Sequence, residues 1–428
     1  MVVQNIVDHG AVGDGLTKNT MAITKAVDAC IQSESACQVL VPSGGIFLTG
    51  SFELASRINL HVQGTLLASN DTSDFPLIPV LPSYGEGRDT GGDQRHRALV
   101  FATNVTDVSI TGHGRIDGNG FAWWRRYFAH QVTADRPHLI EIMWGSNLTI
   151  ADLFLENSPF WTVHPYASDH VRVNNLTVKA PPFAPNTDGI DPDSCNFVEI
   201  TNCHFSVGDD GIAIKSGLNE YGRNFGKPSE NIFIDQITIE PRADNFNTNG
   251  ISIGSEMSGG AVSHRKMYLS HNYTTRSLNF FLVSYPGIRN ITVQNIIIRK
   301  CAVGLYIKSM EGRGGVVEDV KFTNVTMSKT LEPIRFAMDY TYEPKPPGLY
   351  DTDDGTPHFR NITVRNASAS GGLVAGTFAG LMDSEIEAVE LENVHIQSKA
   401  GFQCRNTSGE AKDVDPQACF GDESHRPL

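Results

Sequence analysis

The chain has 428 residues, 40% hydrophobic and 19% charged, with a formal net charge of -14 at pH 7, which is enough apolar material for a large buried core. The acidic balance and the lack of a Lys/Arg cluster argue against nucleic acid, whose binding requires phosphate neutralisation. No apolar run approaches the roughly 18 residues of a membrane span, which argues against a membrane protein.

The chain opens on "MVVQNIVDHGAVGDG", without a basic head followed by an apolar stretch, so any signal peptide is expected to have been removed or never present. The next segment, "NTMAITKAVDACIQ", is the one clear amphipathic helix pattern. Cys30 and Cys37, like Cys404 and Cys419 near the other end, are spaced as local loop-closing pairs, and no CxxC metal pattern occurs. These pairs and ten Asn-x-Ser/Thr sites favour an extracellular protein. Asn before a β-branched strand also has a purely structural use in turns, and both explanations stand. Tyr84 and Arg88 lie in the Gly-rich "SYGEGRDTGGD", a long loop of the kind that often carries binding residues. Trp123 and Trp124 either form a sugar platform or seal a turn.

From Asn104 onward short β-branched strands follow one another, among them "NVTDVSITG", "NLTIADLFLEN", "HVRVNNLTVKA" and "NFVEITNCHFS", with no matching set of helices between them. Starts at 147, 170 and 196 are 23 and 26 residues apart, the repeat of a solenoid in which each coil stacks on the last. The fold predicted is all-β, a right-handed parallel β-helix forming one domain over 1–428, with the N-terminal helix capping its open end. His164 in "WTVHP" either touches substrate or packs as a rung beside Trp161.

Four segments share a second pattern: "GIDPDS" from Gly189, "GIAIKS" from Gly211, "GISIGS" from Gly250 and "GLYIKS" from Gly304. Strand alternation turns their second and fourth residues inward, leaving Asp193, Lys215, Gly254 and Lys308 in one outward column. Asp188 and Asp210 each precede a glycine and are 22 residues apart, one coil, so they are predicted to stack about 4.8 Å apart with Asp209 beside them. A single Asp before Gly reads most simply as an Asx turn. Three in register raise one another's pKa, an arrangement tolerated mainly where a protonated acid and an ionised base must coexist. Asp191 and Asp193 read as turn or supporting residues.

An acid facing a carboxylate across a sugar bond is the equipment for glycoside hydrolysis, and stacked coils allow the separation of roughly 6.5–9.5 Å that admits a water and inverts the anomeric centre. Lys215 and Lys308 beside the cluster would hold an anionic sugar. The repeat then breaks, because Gly250 and Gly304 are 54 residues apart where earlier intervals are 22 and 39. Removing 261–286 leaves 28, a normal coil. That segment is expected to be either a lid beside the cleft or a non-native piece such as an unspliced intron, since nothing offsets its apolar "LNFFLV".

"NTDG", "GDD" followed by "IAIKSG", and the later "IK" strand resemble glycoside hydrolase family 28, the polygalacturonases and related pectin hydrolases. The likeness extends through "DHGAVGDGLTKNTMAI", "GRIDGNGFAWW", "SPFWTVHP" and "GISIGSEMSGG" to about Thr330, and its wording is most similar to the plant-type and bacterial-type branch. The resemblance implies that Asp209 is the general acid and that Asp188 and Asp210 orient and deprotonate the water. It implies further that Lys308 binds the substrate carboxylate, supported by Asn186 and Lys215, and that no metal or other cofactor takes part. The expected substrate is a pectic polysaccharide of the polygalacturonate type, cut from a chain end by a secreted monomer.

Two motifs depart from the family. Thr248 and Asn249 stand where many members have a Gly-His-Gly histidine, and the Arg-Ile-Lys triplet is Tyr306, Ile307, Lys308, losing a bidentate carboxylate ligand that lysine does not replace. Asn249 and Tyr306 are therefore expected, with His164, among the substrate-binding residues, and the lost arginine leaves room for a less acidic sugar in one subsite. A hydrolase of rhamnogalacturonan or xylogalacturonan, a β-helical pectate lyase, and an inactive glycan-binding relative are the competing readings. An unsaturated product would mark the lyase, and binding without new reducing ends the inactive relative.

Overall fold

The computed structural model describes residues 1–33, 35–242, 247–260, 262–263, 283–284, 287–340 and 355–420. Successive strands pair in parallel from coil to coil, and one apolar residue per coil falls in register: Leu148, Val171, Val198, Ile232, Ile291, Val320, Ile362 and Val389 form an unbroken column. All eight are buried, and each fully buried aliphatic side chain contributes about 1.5–3 kcal/mol. The fold is the right-handed parallel β-helix expected, a core of stacked inward residues wound by three runs of strand per coil.

Helix α1 (Thr20–Gln32) turns Ala22, Ile23, Ala26, Val27 and Cys30 onto the first coil, covering an end whose strand would otherwise present unpaired backbone. The Cys30–Cys37 disulfide fastens it there, and Cys404–Cys419 closes the last coil. Helix α2 (Phe121–Phe128) buries both Trp123 and Trp124, the latter donating its indole N–H to the Ser158 carbonyl at 3.1 Å. The pair seals a turn, and the sugar-platform reading is corrected. Helix α3 (Asn219–Phe225) fills the long interval before Ile232. The insertion expected at 261–286 lies outside the described residues, apart from Val262–Ser263 and Val283–Ser284, which pair antiparallel.

The bends between sheets explain most of the Asn-x-Ser/Thr sites. Asn104, Asn147, Asn175, Asn290, Asn324, Asn361, Asn366 and Asn406 all have positive φ, a conformation Asn tolerates better than most residues. Several of their amides also bond from coil to coil: Asn366 donates to Asn324 at 3.2 Å, and Asn324 to Asn295 at 3.1 Å. The asparagine of each of these eight apparent glycosylation signals is thus used by the fold.

The site is carried on one face by β1 (Val163–Tyr166), β2 (Ile212–Ile214), β3 (Ile251–Gly254), β4 (Val303–Lys308) and β5 (Glu332–Ala337). Ile190 bridges β1 and β2, and the inward register Val163, Ile190, Ile212, Ile251, Leu305, Ile334 is continuous. The "G-I/L-x-I" repeat is therefore a physical column.

Candidate active site

Asp188, Asp210 and Asn249 occupy the same step of three consecutive coils: the Gly189 N–H bonds the Asp210 carbonyl at 3.0 Å, and the Gly211 N–H bonds that of Asn249 at 2.9 Å. The glycine after each Asp is required by this stacking, because a Cβ at Gly189 would meet the Gly211 carbonyl oxygen at 2.4 Å and the Phe205 ring at 2.4 Å. One oxygen from each of Asp188, Asp209 and Asp210 lies within 4.8 Å of the others. The cluster is tighter than the opposed-carboxyl spacing expected from the sequence, since adjacent coils set it directly. Asp188 and Asp210 are buried and Asp209 is half-buried.

The three carboxyls are not equivalent. Both oxygens of Asp210 are held, Oδ2 by the Lys308 ammonium at 2.8 Å and Oδ1 by the Asn249 amide at 2.8 Å. Burial pushes its pKa up, but Lys308 and Lys215 together outweigh burial and hold Asp210 below the ordinary value. Asp209 is raised well above the carboxylate range by burial first and then by the charges of Asp188 and Asp210. Its Oδ1 accepts the Asp210 N–H, at 3.0 Å. Asp188 is raised by burial, against the pull of Lys215 at 3.5 Å. The cluster thus pushes Asp209 toward the neutral form and Asp210 toward the ionised one.

A cavity of about 190 Å³ opens over these groups, and Asp188, Asp209, Asp210, Asn186, Lys215 and Lys308 all line it. Asn186 has positive φ and accepts a bond from the Arg136 guanidinium at 2.8 Å. Lys215 stands 4.3 Å over the Trp161 ring and 3.4–3.5 Å from Asp188, Asp191 and Glu256. Three expected substrate contacts do not line the cavity. Asn249 lies behind Asp210 and orients it. Tyr306 is buried, with its ring 5.2 Å from the Lys308 ammonium. His164 is 0% exposed, its Nδ1 3.1 Å from Glu141 and its Nε2 3.6 Å from Asp193, so it is a rung residue and cannot touch substrate where it stands.

Sequence reasoning missed Glu256, Arg313 and Tyr340, which come to the cleft from separate coils. Their signal was faint: Glu256 follows the third repeat strand and Arg313 sits in a Gly-rich run just after the fourth. Of the two loop residues singled out, Arg88 reaches the cleft and pairs with Glu256 at 2.7 Å. Tyr84 is buried and donates its hydroxyl to Asp193 at 2.6 Å.

Among the described residues two groups bring possible metal ligands together, the three aspartates and His138, Glu141 and His164. Neither fits an ion well, because Lys308 already bonds Asp210 and Arg95 bonds both oxygens of Glu141, at 2.9 and 2.7 Å. A divalent cation would sit against a fixed positive charge in either place.

Carboxyls whose pKa values are pushed apart, in a groove along a parallel β-helix, are the equipment of a glycosidase. The chain belongs to the family "Glycosyl hydrolases family 28", whose sequence model matches residues 30–260 and 284–418. It is 36% identical over 426 residues to a Vitis vinifera protein named "Probable polygalacturonase", covering 97% of this chain and 79% of that one. An endo-polygalacturonase of Pectobacterium carotovorum subsp. carotovorum is 29% identical, over 91% of this chain and 87% of its own. Among solved structures, the exopolygalacturonase of Thermotoga maritima superposes with a TM-score of 0.78 at 25% identity, covering 96% of this chain and 91% of that one.

Proposed function

We propose that the protein hydrolyses α-1,4-galacturonosyl linkages of polygalacturonate from a chain end and with inversion; inversion rests on the family resemblance, because the carboxyl oxygens lie closer than the roughly 6.5–9.5 Å that admits a water. The observation that carries the reading is the asymmetry within the aspartate cluster lining the cleft: Asp210 is bonded through one oxygen to Lys308 and through the other to Asn249, which favours its ionised form, while burial and the neighbouring carboxylates push Asp209 up. Asp209 gives its proton to the leaving glycosidic oxygen while Asp188 and Asp210 orient a water and take its proton as it attacks the anomeric carbon. Lys308 meets the uronate carboxylate, with Asn186 and Lys215 beside it. The polygalacturonase relatives support this substrate.

Chain-end attack draws support from the Arg88–Glu256 bridge, which ties a long loop to the cleft, and from the exo-acting neighbour. The protein acts outside the cell as a monomer, a location supported by its two disulfides. It forms one domain with an insertion at 261–286, supported by the break in the family match over 261–283. Proton NMR of the first products tests the mechanism and mode together. Monomer or dimer appearing as the β-anomer is expected, whereas α-anomer refutes inversion and a ladder of intermediate lengths refutes chain-end attack.

A further inference from the structure

Among the described residues four cations line the cavity: Arg88, Lys215, Lys308 and Arg313. Lys308 is bonded to Asp210, Lys215 stands among three acids, and Arg88 is paired with Glu256. Arg313 differs. It is only 8% exposed, its Nη1 donates to the Asn219 side-chain oxygen at 2.7 Å, and its Nε is buried without an acceptor. Among the described residues no carboxylate oxygen lies within 4.0 Å of its guanidinium. A buried guanidinium with an idle donor and no anion in contact is unfavourable for the free protein. It becomes favourable when a ligand brings the anion.

The surroundings of Arg313 are built to hold it in place. Helix α3 clasps it twice: Asn219 takes the side chain, and Arg223 Nη1 donates to the carbonyls of Gly312 and Arg313 at 3.0 and 3.1 Å. The N–H groups of Gly312 and Gly314 both bond the Gly355 carbonyl at 2.8 Å. Gly312, Gly314 and Gly315 have φ of 89°, 65° and 81°, so a turn that other residues would strain presents the guanidinium to the cleft.

We infer that Arg313 binds a second carboxylate of the substrate, on a sugar adjacent to the one held by Lys308, and so supplies from a loop the guanidinium fork that Tyr306 leaves out of β4. The inference rests on the galacturonan reading and deepens it. The position given up in the strand is regained seven residues later, so the expectation of a less acidic sugar there is replaced by one of continued preference for a free uronate. Arg223 is a positioning residue for this contact.

The test separates binding from turnover. Trigalacturonate and its fully methyl-esterified form are titrated by calorimetry into Asp209→Asn and into the double variant Asp209→Asn with Arg313→Gln, with thermal melts confirming folding. Loss of Arg313 is expected to weaken trigalacturonate on the order of 10–100-fold while barely changing the ester. Arg313→Lys restores part of the affinity, and it also serves if the glutamine variant fails to fold. Equal weakening of acid and ester, or no weakening of either, overturns the assignment. Wild-type turnover is read separately: Arg313-dependent binding without any reducing-end release refutes the hydrolase reading and upholds this site. Absence of both binding and release refutes both.

Discussion

Lys308 Nζ lies 2.8 Å from Asp210 Oδ2 although 98 residues separate them in the chain. Coil stacking makes this contact: Asp210, Asn249 and Val303 share one register, and Lys308 ends the strand that Val303 begins. The ammonium keeps a buried carboxylate ionised that burial alone would neutralise.

Lys308→Met therefore shifts the acid limb of the pH–rate profile. With the lysine, Asp210 titrates below its ordinary value, and the base is lost only at low pH. Without it burial dominates, the pKa rises, and activity falls away at higher pH than in wild type. The unpaired carboxylate also lowers stability by about 3–5 kcal/mol, readable in urea unfolding near neutral pH. An unmoved acid limb would show that Lys308 does not set the charge of Asp210.

Asp209→Asn exchanges activity for stability. Loss of a general acid lowers kcat by about 10²–10⁴-fold. The folded-state pKa of Asp209 is raised, so the stability it contributes is full below the unfolded value of about 3.9 and is lost as pH rises through the folded value. Asparagine stays neutral throughout. The variant should melt above wild type near pH 7 and converge with it below about pH 4. A variant melting lower at neutral pH contradicts the raised pKa.

Gly189→Ala tests the coil spacing. Its Cβ would stand 2.4 Å from the Gly211 carbonyl oxygen, forcing apart the two coils that carry Asp188 and Asp210. The expected stability loss is about 1–3 kcal/mol, with a fall in kcat greater than the change in KM because water is no longer held between two carboxylates. A folded variant with unchanged kcat would remove the need for this stacking.

Asn324 separates structure from glycosylation. It holds φ of 56°, donates to Asn295 and accepts from Asn366. Asn324→Ala is expected to lose about 1–2 kcal/mol in bacterially expressed protein. Thr326→Ala removes the same sugar-attachment signal but leaves the amide ladder, and it should unfold with wild type. Equal losses in both variants would contradict the ladder's role.

Much of the fold was legible in the sequence because a solenoid repeats locally. Inward Ile190, Ile212, Ile251 and Leu305 recur with the glycine before them, and the same repeat placed Asp188 above Asp210 and put Lys215 and Lys308 in one column with Gly254 between them. Contacts made between irregular segments were not legible. Arg313 depends on three positive-φ glycines and a clasp from α3, and Glu256 depends on a loop that delivers Arg88 from 168 residues earlier. His164 was ambiguous for a related reason: strand alternation does not distinguish an outward residue in the cleft from one covered by the loop carrying Tyr84.

The most direct test is reducing-end release from polygalacturonate by wild type and Asp209→Asn in parallel, with thermal melts of both. Release of monomer or dimer by wild type and its near-abolition in a variant that melts at least as high is the predicted result. Release undiminished in the folded variant would contradict the assignment of Asp209 as the acid, and no release by wild type from any pectic substrate would contradict the hydrolase reading itself.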